Sequence, residues 1–289
     1  MPAPQRTAFL FPGQGSSLAG ATVLVEKYCP ELHERCVQAL GGDPFEHAGQ
    51  STRFAQPAIF LASIAGWRSI AGADIEPRAF VGHSVGELSA LTAAGVLSTE
   101  DALDLVILRG RLMNDAAAAT GDGGMLAVLK GTFIEAEQLA QSFGLALAND
   151  NAVGQVVLSG PRTRLRDAAR VARGQGLRAI ALDVAGAFHS PAMAAAVEPF
   201  REAVGRVTLS APSAPVFSGM TARQFGDVPR ELAHAVCSPV RWRETMTALE
   251  AFQIDSFVDV GPDEVLARLA HKNVPDASVL RLEELHVNA

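Results

Sequence analysis

Short apolar runs alternate with longer amphipathic ones over the first 120 or so residues, and this rhythm predicts strands followed by helices. The apolar run over 8–11 (AFLF) reads as a buried strand. It leads into Pro12-Gly13-Gln14-Gly15-Ser16, a turn that only small residues and glycine can make so tightly. A βα unit therefore starts the chain. Helical spacing follows over 21–40 and 57–70, then a second short strand over 78–81 and a helix over 88–97. Thr99, with acids at Glu100 and Asp101, reads as the N-cap of a helix running to about Ala118. On that helix Leu105, Leu108 and Leu112 share helical spacing, and Arg109 and Met113 stand one step round.

The pattern changes at the cluster Gly121-Asp122-Gly123-Gly124. Strand signals over 125–129, 145–148, 155–158 and 178–184 interleave with helical ones over 134–143 and 163–175. This is the β-α-β-β-α-β order of a ferredoxin-like unit. After Ala185 the earlier alternation resumes, with helices over 192–204, 241–252 and 264–271 and extended runs over 215–218 and 256–260. The outer segments thus predict an α/β fold with a parallel sheet. The expected division is a large subdomain from 1–123 and 188–289, with a small inserted subdomain over 124–187.

The chemistry concentrates at the second strand. Gly82-His83-Ser84-Val85-Gly86-Glu87 sets a serine between two glycines where strand turns to helix, which is a nucleophile elbow. The helix that follows offers unpaired N–H groups to an anion forming near Ser84. A serine hydroxyl is a poor nucleophile until a base takes its proton, so a histidine is required, and the chain has seven. His83 adjoins Ser84, but neighbouring side chains on a tight turn diverge, which suits packing or support. His189, in Ala187-Phe188-His189-Ser190-Pro191, falls where the inserted unit rejoins the main sheet, and a cleft between subdomains is a common ligand site. His33, His47, His234, His271 and His286 lie in polar segments and read as surface residues. Arg109 has apolar neighbours on its helix, so its cation needs an anionic partner. That partner is either an acid of the fold or a substrate carboxylate held by two parallel hydrogen bonds.

Composition narrows the setting. With 289 residues, 48% hydrophobic, the chain can bury a sizeable core. A net charge of −7 argues against nucleic acid or an anionic membrane as partner of the whole molecule. Three cysteines, Cys29, Cys36 and Cys237, form neither a disulfide framework nor a metal-ligand spacing. The longest uncharged stretch, over 54–67, is too short to span a bilayer, and the first residues lack a signal-peptide core. The expected compartment is the cytoplasm. Against the acidic balance, Arg162, Arg164, Arg166, Arg170, Arg173 and Arg178 crowd one stretch with only Asp167 opposing them. Such a stretch is either a solvated helix face or a docking surface for an acidic protein or the phosphates of a ligand.

Seven motifs in order carry a family resemblance. They are Phe11-Pro12-Gly13-Gln14-Gly15-Ser16, the elbow from Gly82 to Glu87, Arg109-Gly110 followed by Met113, and Gly154-Gln155-Val156-Val157-Leu158-Ser159-Gly160. Gly186-Ala187-Phe188-His189-Ser190, Ser238-Pro239-Val240-Arg241-Trp242 and Val260-Gly261-Pro262 complete the set. Across nearly its whole length the chain resembles malonyl-CoA:acyl carrier protein transacylases and the acyltransferase domains of polyketide synthases. The resemblance implies an α/β-hydrolase-like large subdomain and a ferredoxin-like insert. It implies Ser84 as the acylated nucleophile and His189 as general base. Gln14 and the N–H of Val85 would form the oxyanion hole, and Arg109 would bind the malonyl carboxylate. His83 and Phe188 would line the acyl site. His189 would be oriented by a backbone carbonyl from 238–241, with Asp183 and Asp259 as alternatives. Malonyl-CoA and an acyl carrier protein are the implied partners, with no cofactor and no metal.

Val85 after the serine and Phe188 before the histidine match the malonyl-using relatives, since a ring beside the α-carbon fills the space of a methyl branch. Asn151-Ala152-Val153 and Ala185 depart from frequent family residues and bear on acyl-chain and carrier preference. Three rivals follow: an acyltransferase of the same fold for another acyl unit or donor, a serine esterase or thioesterase, and a non-catalytic carrier-binding subunit. Arg109 speaks against the hydrolase, and the joint presence of Gln14, Ser84 and His189 against the last.

Overall fold

The computed structural model describes residues 5–286 and contains two sheets. The larger is built from β1 (Thr7–Phe11), β2 (Pro77–Gly82), β7 (Val216–Ser218), β8 (Arg223–Gln224), β9 (Ser256–Asp259) and β10 (Ser278–Arg281). Its order is β10-β9-β1-β2-β7-β8, parallel throughout except for the antiparallel edge strand β8. Every residue of β1 and β9 is buried. A parallel sheet covered on both faces explains why these strands read as continuous apolar runs instead of alternating ones.

The period of two still operates inside the run. Phe9 and Phe11 point to a core shared with Ile59, Phe60 and Ile64 of the helix Thr52–Ser69, and Trp67 meets Phe9 edge-on at 5.0 Å. Ala8 and Leu10 point the other way, to Trp242, Met246 and Leu249 of the helix Trp242–Ala251 and Leu266 and Leu269 of the helix Val265–Asn273. Each buried Phe or Leu contributes roughly 1.5–3 kcal/mol, so the two faces fix which helices cover which side.

The smaller sheet contains β3 (Gly123–Leu129), β4 (Ala146–Ala152), β5 (Gln155–Pro161) and β6 (Arg178–Leu182), antiparallel in the order β4-β5-β3-β6. This is the ferredoxin-like arrangement. Helices Phe133–Phe143 and Arg162–Gly174 pack on one face and close a separate core around Leu126, Val128, Leu139, Leu158 and Leu165. The other face looks toward the carboxyl ends of β1 and β2.

Several elements differ from the sequence expectation. The predicted helix over 21–40 is two, Ala21–Tyr28 and Pro30–Leu40, because Pro30 cannot continue the first helix and starts the second at its N1 position. The helix expected over 57–70 starts at Thr52, capped by Ser51, and carries Pro57 inside it, and a short helix Pro44–His47 precedes it. Ser98, not Thr99, caps the helix Thr99–Thr120, its Oγ accepting from Asp101 N at 3.0 Å. On that helix Arg109 and Met113 belong to the buried face, whereas Leu108 and Leu112 are half-buried. The helix Val228–Ala235 and the strands β8 and β10 have no counterpart in the sequence pattern, being short and mixed in polarity.

Candidate active site

The elbow is built as its sequence predicts. Ser84 has φ 55°, a left-handed conformation that costs a non-glycine residue about 1–3 kcal/mol and thrusts the side chain out of the turn. The flanking glycines are dictated by contact. A Cβ on Gly82 would lie 2.0 Å from the Gly86 carbonyl carbon, and one on Gly86 would lie 2.1 Å from Phe11 O. The helix Gly86–Ala93 begins directly after, so the Val85 N–H lies ahead of its first turn, where helix geometry leaves donors free.

His189 arrives from the other subdomain junction, also left-handed at φ 55°. Its Nε2 is 2.8 Å from Ser84 Oγ. Its Nδ1 is 2.9 Å from Ala235 O and 3.0 Å from Ser238 O. Carbonyls only accept, so Nδ1 carries the proton and Nε2 presents its lone pair to the serine. The orienting carbonyls therefore come from two residues, of which only Ser238 lay in the expected segment. Their loop is tied to β4 by Val240 N to Ala148 O at 2.8 Å and Asp150 N to Val240 O at 2.9 Å. Neither alternative acid reaches His189. Asp259 accepts from Gly261 N and Ala267 N, and Asp183 lines the mouth of the cavity.

Burial pushes the His189 imidazole down to about 3, with the charge of Arg109 next in effect. A neutral base is thus ready at every physiological pH. For the free enzyme, kcat/KM should hold level as pH falls from about 8 to about 5, where an ordinary histidine would protonate. Arg109→Ala removes a repelling cation and should move the acid limb to higher pH. A pH-rate series on both proteins checks the pair of shifts.

Arg109 is 3% exposed. Among the described residues it has no ion-paired acid. Its Nη1 donates to Gln56 Oε1 at 2.5 Å and its Nη2 to Ser84 Oγ at 3.3 Å. Burial lowers it to about 10, and the charge of buried Glu87 raises it. Of the two partners open to it in the sequence, a structural acid in contact is absent among the described residues.

A cavity of about 310 Å³ joins these groups, with Gln14, Val85, Met113 and Phe188 in its wall and Met125, Val157 and Leu182 contributed by the small sheet. Gln14 Oε1 accepts from Thr52 Oγ1 at 3.0 Å. His83 turns away from Ser84: its Nε2 meets Asn151 Oδ1 at 2.9 Å and its ring packs on Trp242 at 5.2 Å. Of the remaining histidines, His234 and His271 are exposed as expected. His33 and His47 are half-buried instead, packed edge-on to Phe45 and against Phe54, because each lies where a short helix folds back on the helix Thr52–Ser69. The His286 side chain lies outside the description. Thr52, Gln56 and Asn149 reach the site without having been singled out, and Asn151, noted only as a departure from the family, lines it as well. For Thr52 and Gln56 a signal was present, since they are polar residues four apart that share one side of a helix rich in apolar residues.

A serine and a neutral histidine at the carboxyl ends of a parallel sheet, roofed by a ferredoxin-like insert, define an α/β serine acyl-transfer architecture. The chain belongs to the acyl transferase domain family, whose model matches residues 43–284. It is 35% identical over 289 residues to the malonyl CoA-acyl carrier protein transacylase of Bacillus subtilis, covering 92% of this chain and 90% of that one. It is 37% identical to the polyketide biosynthesis protein ThaF of Burkholderia thailandensis over 93% of this chain but only 24% of ThaF. The crystal structure of acyl-carrier-protein-S-malonyltransferase from Bartonella henselae superimposes with a TM-score of 0.89 at 31% identity, covering 98% of both chains.

Proposed function

We propose that this protein moves malonyl from malonyl-CoA to the phosphopantetheine thiol of an acyl carrier protein through an acyl-Ser84 intermediate. The observation that carries the reading is a buried guanidinium, 3.3 Å from the nucleophile, with no carboxylate in contact among the described residues. A free carboxylate on the acyl group supplies the missing anion. His189 Nε2 takes the Ser84 proton as Oγ attacks the thioester carbonyl. The resulting oxyanion faces the Gln14 amide N–H and the Val85 N–H, and its collapse expels CoA thiolate, which recovers the proton from His189. The carrier thiol then gives its proton to His189 and attacks the ester, and the departing Ser84 Oγ takes that proton back from His189. No step uses a metal or redox group. Phe188 and His83 bound the acyl space, and substrates of this kind fit a cytoplasmic enzyme. The subdomain division at 123/124 and 187/188 belongs to the same reading and is supported by the separate core under the small sheet.

Intact mass after incubation with a panel of acyl-CoAs tests the proposal. A stable malonyl adduct is the expected result. Release of free malonate without an adduct would identify a hydrolase, and preference for another acyl unit would move the enzyme to a different assembly line.

The arginine stretch gives a second test. The helix Arg162–Gly174 buries Leu165, Ala168, Ala169 and Ala172 and turns five arginines outward. Arg162 donates to Val184 O at 2.6 Å, and Val184 lines the catalytic cavity, so the face begins at the cavity's rim. Charge reversal at Arg166 and Arg170 is expected to raise the KM for the carrier several-fold at low salt while sparing self-acylation by malonyl-CoA. Equal carrier kinetics would leave a merely solvated face.

A further inference from the structure

A line of side chains connects the two halves of the site, running from buried Arg109 through buried Gln56 and Thr52 to Gln14, which is exposed. Arg109 Nη1 donates to Gln56 Oε1 at 2.5 Å, Gln56 Nε2 donates to Thr52 Oγ1 at 2.9 Å, and Thr52 Oγ1 donates to Gln14 Oε1 at 3.0 Å. We propose that Thr52 and Gln56 are positioning residues that set the Gln14 amide for oxyanion binding and tie its orientation to the arginine that receives the acyl carboxylate. The inference rests on the acyl-transfer reading above and extends it.

The direction of the chain is chemically forced. A guanidinium has donors only, so the Gln56 atom facing Arg109 must be its carbonyl oxygen, and its NH₂ then points the other way. Thr52 receives that NH₂ on its oxygen lone pair and spends its one proton on Gln14. The Gln14 atom so engaged must be its oxygen. Its NH₂ is left as the group available to a developing oxyanion. Reversing Gln56 would set its NH₂ against the guanidinium, and reversing Gln14 would take away the oxygen that accepts the proton of the buried Thr52 hydroxyl. Burial makes the constraint strong, since Thr52 and Gln56 are 2% and 1% exposed and water cannot substitute at those sites.

The framework holds the relay rigid. Thr52 and Gln56 lie four residues apart on one helix, so their spacing is the helix pitch and not a loop conformation. Gln56 Nε2 also lies 3.4 Å from Met113 Sδ, on the same helix as Arg109. Gln14, by contrast, sits in the turn after β1, where a side-chain amide has two-fold freedom about its last torsion. Thr52 removes that freedom.

The test separates the two ends of the relay with near-isosteric changes. Thr52→Val deletes the hydroxyl and leaves Arg109 on Gln56. It is expected to lower the acylation rate of Ser84 by about tenfold with malonyl-CoA and acetyl-CoA alike, a donor misdirected instead of removed. KM and the malonyl-to-acetyl ratio stay near wild type, and Thr52→Ser restores the rate. Gln56→Leu breaks both links, lowering the rate and also reducing the malonyl-to-acetyl ratio. The burst with p-nitrophenyl acetate, which requires the serine, base and oxyanion donors but no malonyl recognition, should slow in Thr52→Val by the same factor. That arm reads the relay even if malonyl-CoA fails to label the wild type, the result that would sink the malonyl reading by itself. Wild-type burst rates in Thr52→Val overturn the proposal. So does a fall in the malonyl-to-acetyl ratio for Thr52→Val without loss of the acetyl rate, since Thr52 would then act on Arg109 and not on Gln14.

Discussion

Incubated with malonyl-CoA, the wild-type protein should gain one malonyl mass and Ser84→Ala none. The expectation follows from position as much as from residue type. Ser84 is the side chain that the left-handed elbow projects into the cavity, 2.8 Å from an imidazole whose lone pair faces it. The change removes one oxygen and leaves the backbone strain as it was, so the loss reads chemistry and not folding. His189→Ala should slow acylation by roughly 10²- to 10⁴-fold, the usual range for general-base assistance, with the circular dichroism unchanged. A labelled Ser84→Ala would place the nucleophile elsewhere. Unchanged kinetics in His189→Ala would leave the neutral buried imidazole without a chemical role.

Much of this geometry was legible in the chain because each piece is local. An elbow is specified by six residues, and the clash distances at Gly82 and Gly86 show why they must be glycine. Strands β1 and β9 were legible because burial on both faces makes their central residues an unbroken apolar run. The α/β class and the ferredoxin-like insert followed from the order of such runs. What stayed hidden is non-local. Two carbonyls orient His189, one at the end of a short helix of mixed polarity, and a carbonyl has no residue type to announce it. The half-buried settings of His33 and His47 depend on how the helices fold back, which polarity of the flanking residues does not report. How deeply the face of Arg109 is buried was hidden for a related reason. Leu105, Leu108 and Leu112 share helical spacing but only Leu105 is buried, whereas Gly110 beside Arg109 brings the backbone of Thr52 and Arg53 close to that face.

Arg109→Ala should convert the enzyme's preference, and this is the sharpest expected change in specificity. The guanidinium is buried against Gln56 and Ser84, both neutral, and the nearest acid whose charge it feels is Glu87, itself pushed up to about 7 by burial. An arginine so placed gains most when an anion enters the cavity. Charge-assisted hydrogen bonds contribute about 1.5–3 kcal/mol each, so losing a two-bond fork should slow malonyl transfer on the order of 10²-fold or more. An acetyl or longer neutral acyl group makes no such bond. It should be accepted as well as before or better, because the variant no longer holds a buried cation without an anion. The measurement is the ratio of malonyl to acetyl labelling rates at Ser84 in wild type and variant. A ratio that stays fixed while both rates fall would make Arg109 a structural support of the elbow, reached through its contact with Ser84 Oγ. A ratio that drops by two orders of magnitude with acetyl undiminished would make the buried guanidinium the element that selects a carboxylated acyl group.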